Sequence, residues 1–162
     1  MKVRGALRIY GSTIGLLGLL PVFLFSCHHK NTLKPMRETI FSENAPKPIG
    51  PYSQAIRFGN TVYFSGQIGV DVRDGNFVSD TDVVAQTHQV MKNIGHLLTA
   101  CGGGYANIVK SSIFLKDMND FPLVNEAYAS YFERDFPARE TVEVSRLPKD
   151  ALVEISVIVV LP

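Results

Sequence analysis

The fold and the candidate chemistry are both decided by residues 137–155, which read PARETVEVSRLPKDALVEI. This stretch predicts a turn, a short strand, a proline-containing loop and a long β-branched strand. Two ionisable residues interrupt it: Arg139 enters the first strand, and Glu154 lies inside the otherwise apolar run 152–161. A carboxylate in a buried strand is costly unless it is paired or used, and an arginine fork suits bidentate capture of a small carboxylate. Brought together, these two side chains would bind a small acid and direct a water molecule at it.

The rest of the chain predicts further strands and two helices. A stripe of apolar residues at helical spacing runs from Val83 to Cys101, after several N-cap candidates, and the glycines at 102–104 end it. A second helix is predicted after Asn119 or Asp120 and is closed by the pair at 136–137. The predicted strands are residues 38–42, 53–58, 61–64, 68–72, 108–115, 140–144 and 152–160. This order predicts an α+β fold in which a mixed β-sheet carries both helices on one face.

The other face of this sheet lacks a cover within the chain. The last strand, 152–160, is apolar on both sides, which is typical of a strand buried on both faces. Because both helices are assigned to one face, another subunit must cover the second face, and we predict a homo-oligomer.

The N-terminal residues have the composition of an export signal. Three basic residues precede an apolar run, 14–25, whose length fits a signal peptide better than a membrane span. The run ends in Leu24-Phe25-Ser26-Cys27 and is followed at once by polar residues, which resembles the lipobox of bacterial lipoproteins. We therefore predict a signal peptide at 1–26, a lipidated Cys27, a polar linker at 27–36 and a folded domain at 37–162.

This interpretation predicts an exported protein that touches the membrane only through its lipid anchor, on the periplasmic side. A plain secretory signal and an uncleaved N-terminal anchor are the alternatives. A cytoplasmic product that begins at Met36 is a third, because Met36 stands where the folded domain is predicted to start.

Charge and cysteine content narrow the classes of function. Without the three basic residues before Cys27, 13 basic residues remain against 15 acidic ones, a charge of −2, which disfavours a nucleic-acid partner. If Cys27 is lipidated, Cys101 is the only other thiol, so no internal disulfide can form, and we interpret Cys101 as a small core residue. Histidines at metal-ligand spacing are lacking, so no metal site is predicted.

Seven short motifs carry a family resemblance, and they occur in one order along residues 37–160. They are IGPYSQA (49–55), SGQI (65–68), MNDF (118–121), VNEAY (124–128), PARETVEV (137–144), RLPK (146–149) and VEI (153–155). Together they resemble the reactive intermediate deaminase family, also called RidA or YjgF/YER057c/UK114.

The resemblance implies a fold similar to that of small chorismate mutases and a homotrimer with a ligand cleft at each subunit interface. It implies hydrolysis of 2-imino acids, such as 2-iminobutanoate and 2-iminopropanoate, and of their enamine tautomers to 2-keto acids and ammonia, without a metal or organic cofactor. Arg139 matches the arginine that holds the substrate carboxylate, and Glu154 matches the acid that positions the attacking water. Tyr52, Ser65 and Asn125 match other cleft positions. Thr141 stands where many members have cysteine, and its hydroxyl can still donate a hydrogen bond to a ligand.

Each of the two charged residues also has a purely structural alternative. Arg139 could pair with Glu140 or Glu143 on its own strand, and Glu154 could pair with Arg146 or Lys149. The functional interpretation requires the guanidinium of Arg139 and the carboxylate of Glu154 to converge in one interfacial pocket.

The remaining candidates have structural alternatives too. Tyr52 could pack its ring, Ser65 could satisfy a strand end, and Asn125 could bridge to a loop. Two other functions stay open: a small-carboxylate-binding protein without turnover, and an endoribonuclease or translation inhibitor, which the charge of the mature chain disfavours.

Overall fold

One mixed sheet of seven strands organises the computed structural model, which describes residues 36–162. The strands are β1 (Arg37–Ile40), β2 (Ala55–Phe58), β3 (Thr61–Phe64), β4 (Gln67–Ile68), β5 (Ile108–Leu115), β6 (Ala138–Glu143) and β7 (Val153–Val160). Their order is β1-β2-β3-β7-β5-β6, and β4 pairs with β7 further along the side that β3 occupies. The β5–β6 pair is parallel and the other pairs are antiparallel. The predicted mixed sheet is therefore confirmed.

The first helix, α1 (Val83–Ala100), begins and ends as its sequence predicts. The side chain of Asp82 accepts hydrogen bonds from the amides of Val84 and Ala85, which caps the helix. At the other end, Gly102 has a φ of 80°, and the amides of residues 102 and 103 return to the carbonyls of residues 99 and 98. This pattern is a Schellman motif, so the glycine run is a helix stop.

The second helix, α2 (Phe121–Ala129), corrects two predictions. Asp120 occupies the predicted N-cap position, but its backbone is helical and its side chain makes no capping hydrogen bond, whereas Asp117 caps the preceding 3₁₀ turn by accepting the amide of Asn119. The helix also ends before the predicted closure at 136–137. The amides of residues 131 and 132 bond three residues back, which tightens the turn after the helix, and these two aromatic residues pack from that turn rather than from the helix.

Both helices lie on one face of the sheet, as predicted. The residues of β7 with odd numbers, 153 to 159, are buried beneath α1, and α2 packs against α1. The even-numbered residues of β7 point to the other face, where Tyr63, Val142 and Val160 are exposed. That face mixes apolar residues with Lys110, Ser112 and Glu140, the described part of the chain leaves its apolar residues exposed, and its covering by another subunit stays a prediction.

Several N-terminal predictions lie outside the described residues. These are the signal peptide at 1–26, the lipidation of Cys27 and nearly all of the linker at 27–36. Neither helix within 36–162 combines the length and the apolar character that crossing a membrane requires. Cys101 is buried in the core at the end of α1, as expected of a small core residue.

Candidate active site

Three of the predicted site residues line one cavity of about 320 Å³. Glu154 enters it from β7, Ser65 from the end of β3, and Tyr52 from the proline-rich loop that precedes β2. The full lining is Ile49, Tyr52, Ser65, Gly66, Ile68, Pro148 and Glu154. The chain therefore brings Tyr52, Ser65 and Glu154 together around one small, half-enclosed space.

Glu154 is half-buried and has no charged partner in this cavity. Its burial raises the pKa of the Glu154 carboxyl above the ordinary value for glutamate. Arg146 instead forms an ion pair with Asp150, and Lys149 donates to the carbonyl of Gly75, so neither alternative pairing is present. Across residues 36–162, no hydrogen bond or ion pair engages the Glu154 carboxylate. A carboxyl in this state is easier to protonate than an exposed glutamate, which suits a group that accepts and returns a proton.

The backbone at Gly66 makes room for the Glu154 carboxylate. A Cβ atom on residue 66 would lie 1.8 Å from Oε1 and 2.6 Å from Cδ of Glu154. The carboxylate therefore occupies space that any other residue at 66 would fill. This close approach gives Gly66 a direct part in placing Glu154.

The hydroxyl groups of Ser65 and Tyr52 are partly committed to the protein itself. Ser65 Oγ donates to the carbonyl of Ser53 at 2.7 Å, and Tyr52 Oη accepts the amide of Ile49 at 3.2 Å. The first bond is the strand-end role that the sequence left open for Ser65. In this arrangement Ser65 Oγ keeps its acceptor capacity, and Tyr52 Oη keeps a proton to donate.

Two buried amides that the sequence analysis missed hold the walls of this cavity. Gln54 accepts the amide of Ser42 and donates to the carbonyls of Ser42, Ala45 and Pro46, which fixes the proline-rich loop. Asn93 of α1 donates to the carbonyls at residues 68 and 70. The signal for Asn93 was present in the sequence, because a polar residue interrupts the apolar stripe of α1.

Arg139 lies in a different cavity of about 350 Å³, together with Asn125. Its guanidinium carbon is 5.3 Å from the centre of the Tyr128 ring and 5.6 Å from that of Phe121. Both distances are within the range of a cation–π interaction. Tyr128 is itself fixed by a buried hydrogen bond of 2.8 Å between its hydroxyl and Ser111 Oγ. The remaining lining residues are Ala129, Phe136 and Pro137.

The guanidinium of Arg139 is held by rings rather than by a carboxylate. Glu140 bonds to Lys110 and Ser112 on the opposite face, and Glu143 accepts the amide of Met118. Neither of the strand pairings left open for Arg139 is therefore present. Within residues 36–162 the guanidinium makes no ion pair and no hydrogen bond, so its donors are available to a bound anion.

Thr141 lies two residues after Arg139 in β6, so both side chains are on the same face of the sheet. Its Oγ1 is buried, and it alone among the buried side-chain polar atoms of residues 36–162 has no hydrogen-bond partner. A buried hydroxyl without a partner is unfavourable, and a ligand acceptor that reached it would relieve the cost, but Thr141 is not among the residues that line the Arg139 cavity.

A single subunit does not bring Arg139 and Glu154 together, and their convergence in an interfacial pocket stays a prediction. Arg139 is in register with Ser111 on β5, whereas Glu154 is in register with Phe114. Positions 111 and 114 differ by an odd number, so their side chains point to opposite faces of the sheet. One chain thus contains two half-sites: a carboxyl half with Tyr52, Ser65 and Glu154, and a guanidinium half with Asn125 and Arg139.

Comparisons with known proteins give one consistent result. The protein family described as endoribonuclease L-PSP matches residues 42–161. A RutC family protein of Pyrococcus horikoshii is 54% identical over 123 residues, which covers 76% of this chain and 97% of that protein. The human 2-iminobutanoate/2-iminopropanoate deaminase is 43% identical over 125 residues, covering 77% and 90% of the two chains.

Solved structures agree with this result. The crystal structure of YyfA from Yersinia pestis, a protein of the conserved Rid protein family, is 48% identical with a TM-score of 0.75. It matches 78% of this chain and 100% of its own. Escherichia coli TdcF, solved with bound serine, is 36% identical with a TM-score of 0.74, and the match covers 77% of this chain and 99% of TdcF.

Proposed function

The chain belongs to the RidA/YjgF family, described as endoribonuclease L-PSP, and we propose that it hydrolyses 2-imino acids to 2-keto acids and ammonia. The substrates would be 2-iminobutanoate, 2-iminopropanoate and their enamine tautomers, as the name of the human relative suggests. The observation that carries the proposal is the Glu154 carboxyl, which has no partner among residues 36–162 and lies against Gly66 in a small cavity, and whose pKa is raised by burial.

We further propose that two subunits complete each site. The two half-sites lie on opposite faces of one sheet, so one subunit cannot offer Arg139 and Glu154 to the same small molecule. A homotrimer in which the guanidinium half of one copy meets the carboxyl half of the next would assemble three complete sites. The exposed apolar residues Tyr63, Val142 and Val160 on that face of the sheet support such an assembly, because association would remove them from water.

In this site Arg139 binds the substrate carboxylate and sets its orientation. Glu154 takes a proton from water while the water oxygen bonds to C2 and the π electrons of the iminium bond move to nitrogen. Glu154 then gives that proton to the nitrogen of the resulting carbinolamine. The C–N bond breaks as the hydroxyl electrons form the ketone, ammonia leaves, and the hydroxyl proton passes to solvent or ammonia. One carboxyl thus serves both steps, which its raised pKa favours.

The direct test is the release of 2-ketobutanoate from 2-iminobutanoate made in situ. The parent protein should exceed the spontaneous rate, and Arg139→Ala should lose most of that excess while the oligomer persists. Arg134→Ala is the matched control, because that side chain is 87% exposed in a loop and lines neither half-site. Near-parental turnover by Arg139→Ala would contradict the assignment. Ligand-dependent melting without turnover in the parent protein would support a binding protein instead.

A mixing experiment tests the division of the site between subunits. Arg139→Ala and Glu154→Gln should each be inactive alone, because each removes one half of every site. Refolding a 1:1 mixture should restore about one quarter of the parental activity, since about one interface in four pairs two intact halves in a closed ring. If both groups came from one subunit, every site would keep one defect and the mixture would stay inactive.

We also propose that the protein is exported and lipidated at Cys27, as its first 26 residues suggest. Its substrates would then be imines formed outside the cytoplasm, for example by amino-acid oxidases. Mass spectrometry of the mature N-terminus tests this proposal: an intact Met1 or Met36 at the N-terminus would contradict it.

A further inference from the structure

A strained turn, residues 147–151, contributes one residue to the lining of the Glu154 cavity. Lys149 and Asp150 have φ angles of 56° and 63°, so two consecutive residues other than glycine lie in the left-handed region. This conformation is unfavourable for residues with a Cβ atom, and such strain occurs mainly at functional sites, where the surrounding structure holds it in place. The residue just before this pair, Pro148, lines the cavity that contains Glu154.

We propose that the 147–151 turn holds the ring of Pro148 as an apolar wall of the Glu154 cavity, and that the ion pair between Arg146 and Asp150 keeps the turn in its strained form. Arg146 and Asp150 are then positioning residues. They touch no reacting atom, but they set how much water reaches the Glu154 carboxyl. This inference rests on the proposed function and adds two residues to the same site.

The two ends of the 147–151 turn are anchored in the core, so only its middle can move. Leu147 and Ala151 are both buried. Directly after Ala151, the amide of Leu152 donates to Oε1 of the buried Gln86 at 2.9 Å. If the strained torsions relaxed, the displacement would therefore fall on residues 148–150.

The position of Pro148 depends on the form of the turn. Pro148 is exposed in the described chain, so packing alone does not fix its ring. The ring restricts its own φ, and the torsions of the following residues decide where the ring lies relative to the anchored end. Two hydrogen bonds close the turn: the amide of Asp150 donates to the carbonyl of Leu147 at 3.1 Å, and the amide of Ala151 donates to the carbonyl of Pro148 at 3.2 Å.

The ion pair across the turn has the geometry of a strong pair. Arg146 Nε donates to Asp150 Oδ1 at 2.7 Å and Nη2 donates to Oδ2 at 3.0 Å, so the two groups meet in a fork. Most exposed ion pairs contribute little, and a forked arginine–carboxylate pair is an exception. This fork spans the turn and opposes the relaxation of Asp150. Lys149 Nζ adds a second tie, to the carbonyl of Gly75 at 2.7 Å.

The wall matters to the chemistry because burial is what raises the pKa of Glu154. The residues paired with Glu154 across the sheet, Phe114 and Ile68, are uncharged, and Tyr52 is the other titratable residue in the cavity lining. Water that entered beside a displaced Pro148 would solvate the carboxylate and bring its pKa back towards the ordinary value. The turn thus acts on Glu154 through water and not through charge.

The test is a ¹³C NMR titration of the Glu154 carboxyl in protein labelled at its glutamate δ-carbons, with the signal assigned by Glu154→Gln. Asp150→Asn and Arg146→Gln each break the fork, and asparagine, like aspartate, tolerates the left-handed conformation. In both variants the pKa of Glu154 should fall towards that of an exposed glutamate. A direct charge effect would have opposite signs in the two variants, because losing the negative charge favours ionisation of Glu154 and losing the positive charge opposes it.

Turnover of 2-iminobutanoate gives a second readout. In both variants kcat should fall by about three- to tenfold, well short of the roughly 100-fold expected when a reacting group is itself displaced. KM should stay close to that of the parent, because Arg139 is untouched. Pro148→Ala should have the same effects, and adding Asp150→Asn to it should change little more, because the fork acts through Pro148.

Asp135→Asn is the matched control. Asp135 also has a left-handed φ, of 56°, and lies 3.9 Å from the exposed Arg134, but it lines neither half-site. The pKa of Glu154 and the kcat of this variant should therefore match those of the parent.

The inference fails, with the proposed function intact, if the pKa of Glu154 is unchanged or raised in Arg146→Gln, or if it falls equally in Asp135→Asn. It also fails if Asp150→Asn lowers that pKa further in the Pro148→Ala background. The proposed function fails separately, if the parent protein does not accelerate the release of 2-ketobutanoate. The titration would then still decide whether the turn shields Glu154 from water.

Discussion

Substitution of Gly66 by alanine should disable the Glu154 carboxyl while leaving the fold intact. The new Cβ would lie 1.8 Å from Glu154 Oε1, whereas real Cβ contacts are rarely shorter than 3.0 Å. The carboxylate must therefore move by about 1 Å or more, and it can do so because it is the end of a flexible side chain. A displacement of about 1 Å at a catalytic group costs on the order of 100-fold in rate. We expect Gly66→Ala to lose about 100-fold in kcat on 2-iminobutanoate.

Two other glycines provide the controls for this experiment. Gly104 has open space around its would-be Cβ and an extended φ of −145°, so Gly104→Ala should keep both stability and turnover. At Gly69 the added Cβ would meet the Cα atom of Gln86 at 2.8 Å, and backbone cannot swing aside as a carboxylate can. Gly69→Ala should therefore lower the melting temperature, whereas Gly66→Ala should not.

The measurements are kcat and KM from 2-ketobutanoate release and melting temperature by circular dichroism. If Gly66→Ala turned over within threefold of the parent, the position of the Glu154 carboxylate would not matter to the reaction. Glu154 would then not be the base of the reaction, and the proposed mechanism would be wrong. If Gly66→Ala instead melted like Gly69→Ala, the close approach at residue 66 would be a packing requirement rather than a catalytic one.

Three further substitutions test the electrostatics of the half-sites. Burial raises the pKa of Glu154 in the folded protein, so ionisation of Glu154 lowers the stability of the fold as the pH rises from the ordinary carboxyl pKa through the raised one. Glu154→Gln should therefore have a higher melting temperature than the parent at pH 7. The difference should vanish below about pH 4, where the parent carboxyl is protonated in both the folded and the unfolded state. Phe121→Ala should raise KM by roughly two- to fivefold, because it removes one ring beside Arg139, whereas Leu123→Ala on the same helix should not change KM. Thr141→Val should stabilise the fold by about 1 kcal/mol and raise KM, because it removes a buried hydroxyl that lacks a protein partner; lower stability would contradict this interpretation.

Local patterns were enough to predict most of the fold. The first and last residues of β3 and β5 were predicted correctly, because β-branched and aromatic runs bounded by turns leave little choice of where a strand begins and ends. The end of α1 was equally clear from its glycines. The end of α2 was not, because Tyr131 and Phe132 continue the helical spacing although they pack from a turn. Spacing alone does not distinguish a helix from a turn that presents its side chains to the same core.

The geometry of the site depends on long-range pairing, which no local pattern encodes. The face on which Arg139 lies follows from the parallel register of β6 on β5, and a shift of one residue would reverse it. The roles of Gln54 and Asn93 follow from distant carbonyls that only the folded chain brings near. The strand pattern identified Arg139 and Glu154, the resemblance added Tyr52, Ser65, Asn125 and Thr141, and the fold showed that these residues form two separate groups.

Because the site is divided in this way, contacts within one chain must hold the side chains of each half in place. In the carboxyl half, four hydrogen bonds from Gln54 fix the proline-rich loop, and Gly66 seats the carboxylate of Glu154. In the guanidinium half, two aromatic rings hold Arg139 without satisfying its donors. The side chains are thus ordered when each chain folds, so association and substrate binding do not carry the entropic cost of ordering them. In the proposed assembly, a site shared between subunits would orient a small molecule well, because each subunit would contribute an ordered half and the substrate carboxylate and C2 would lie between them.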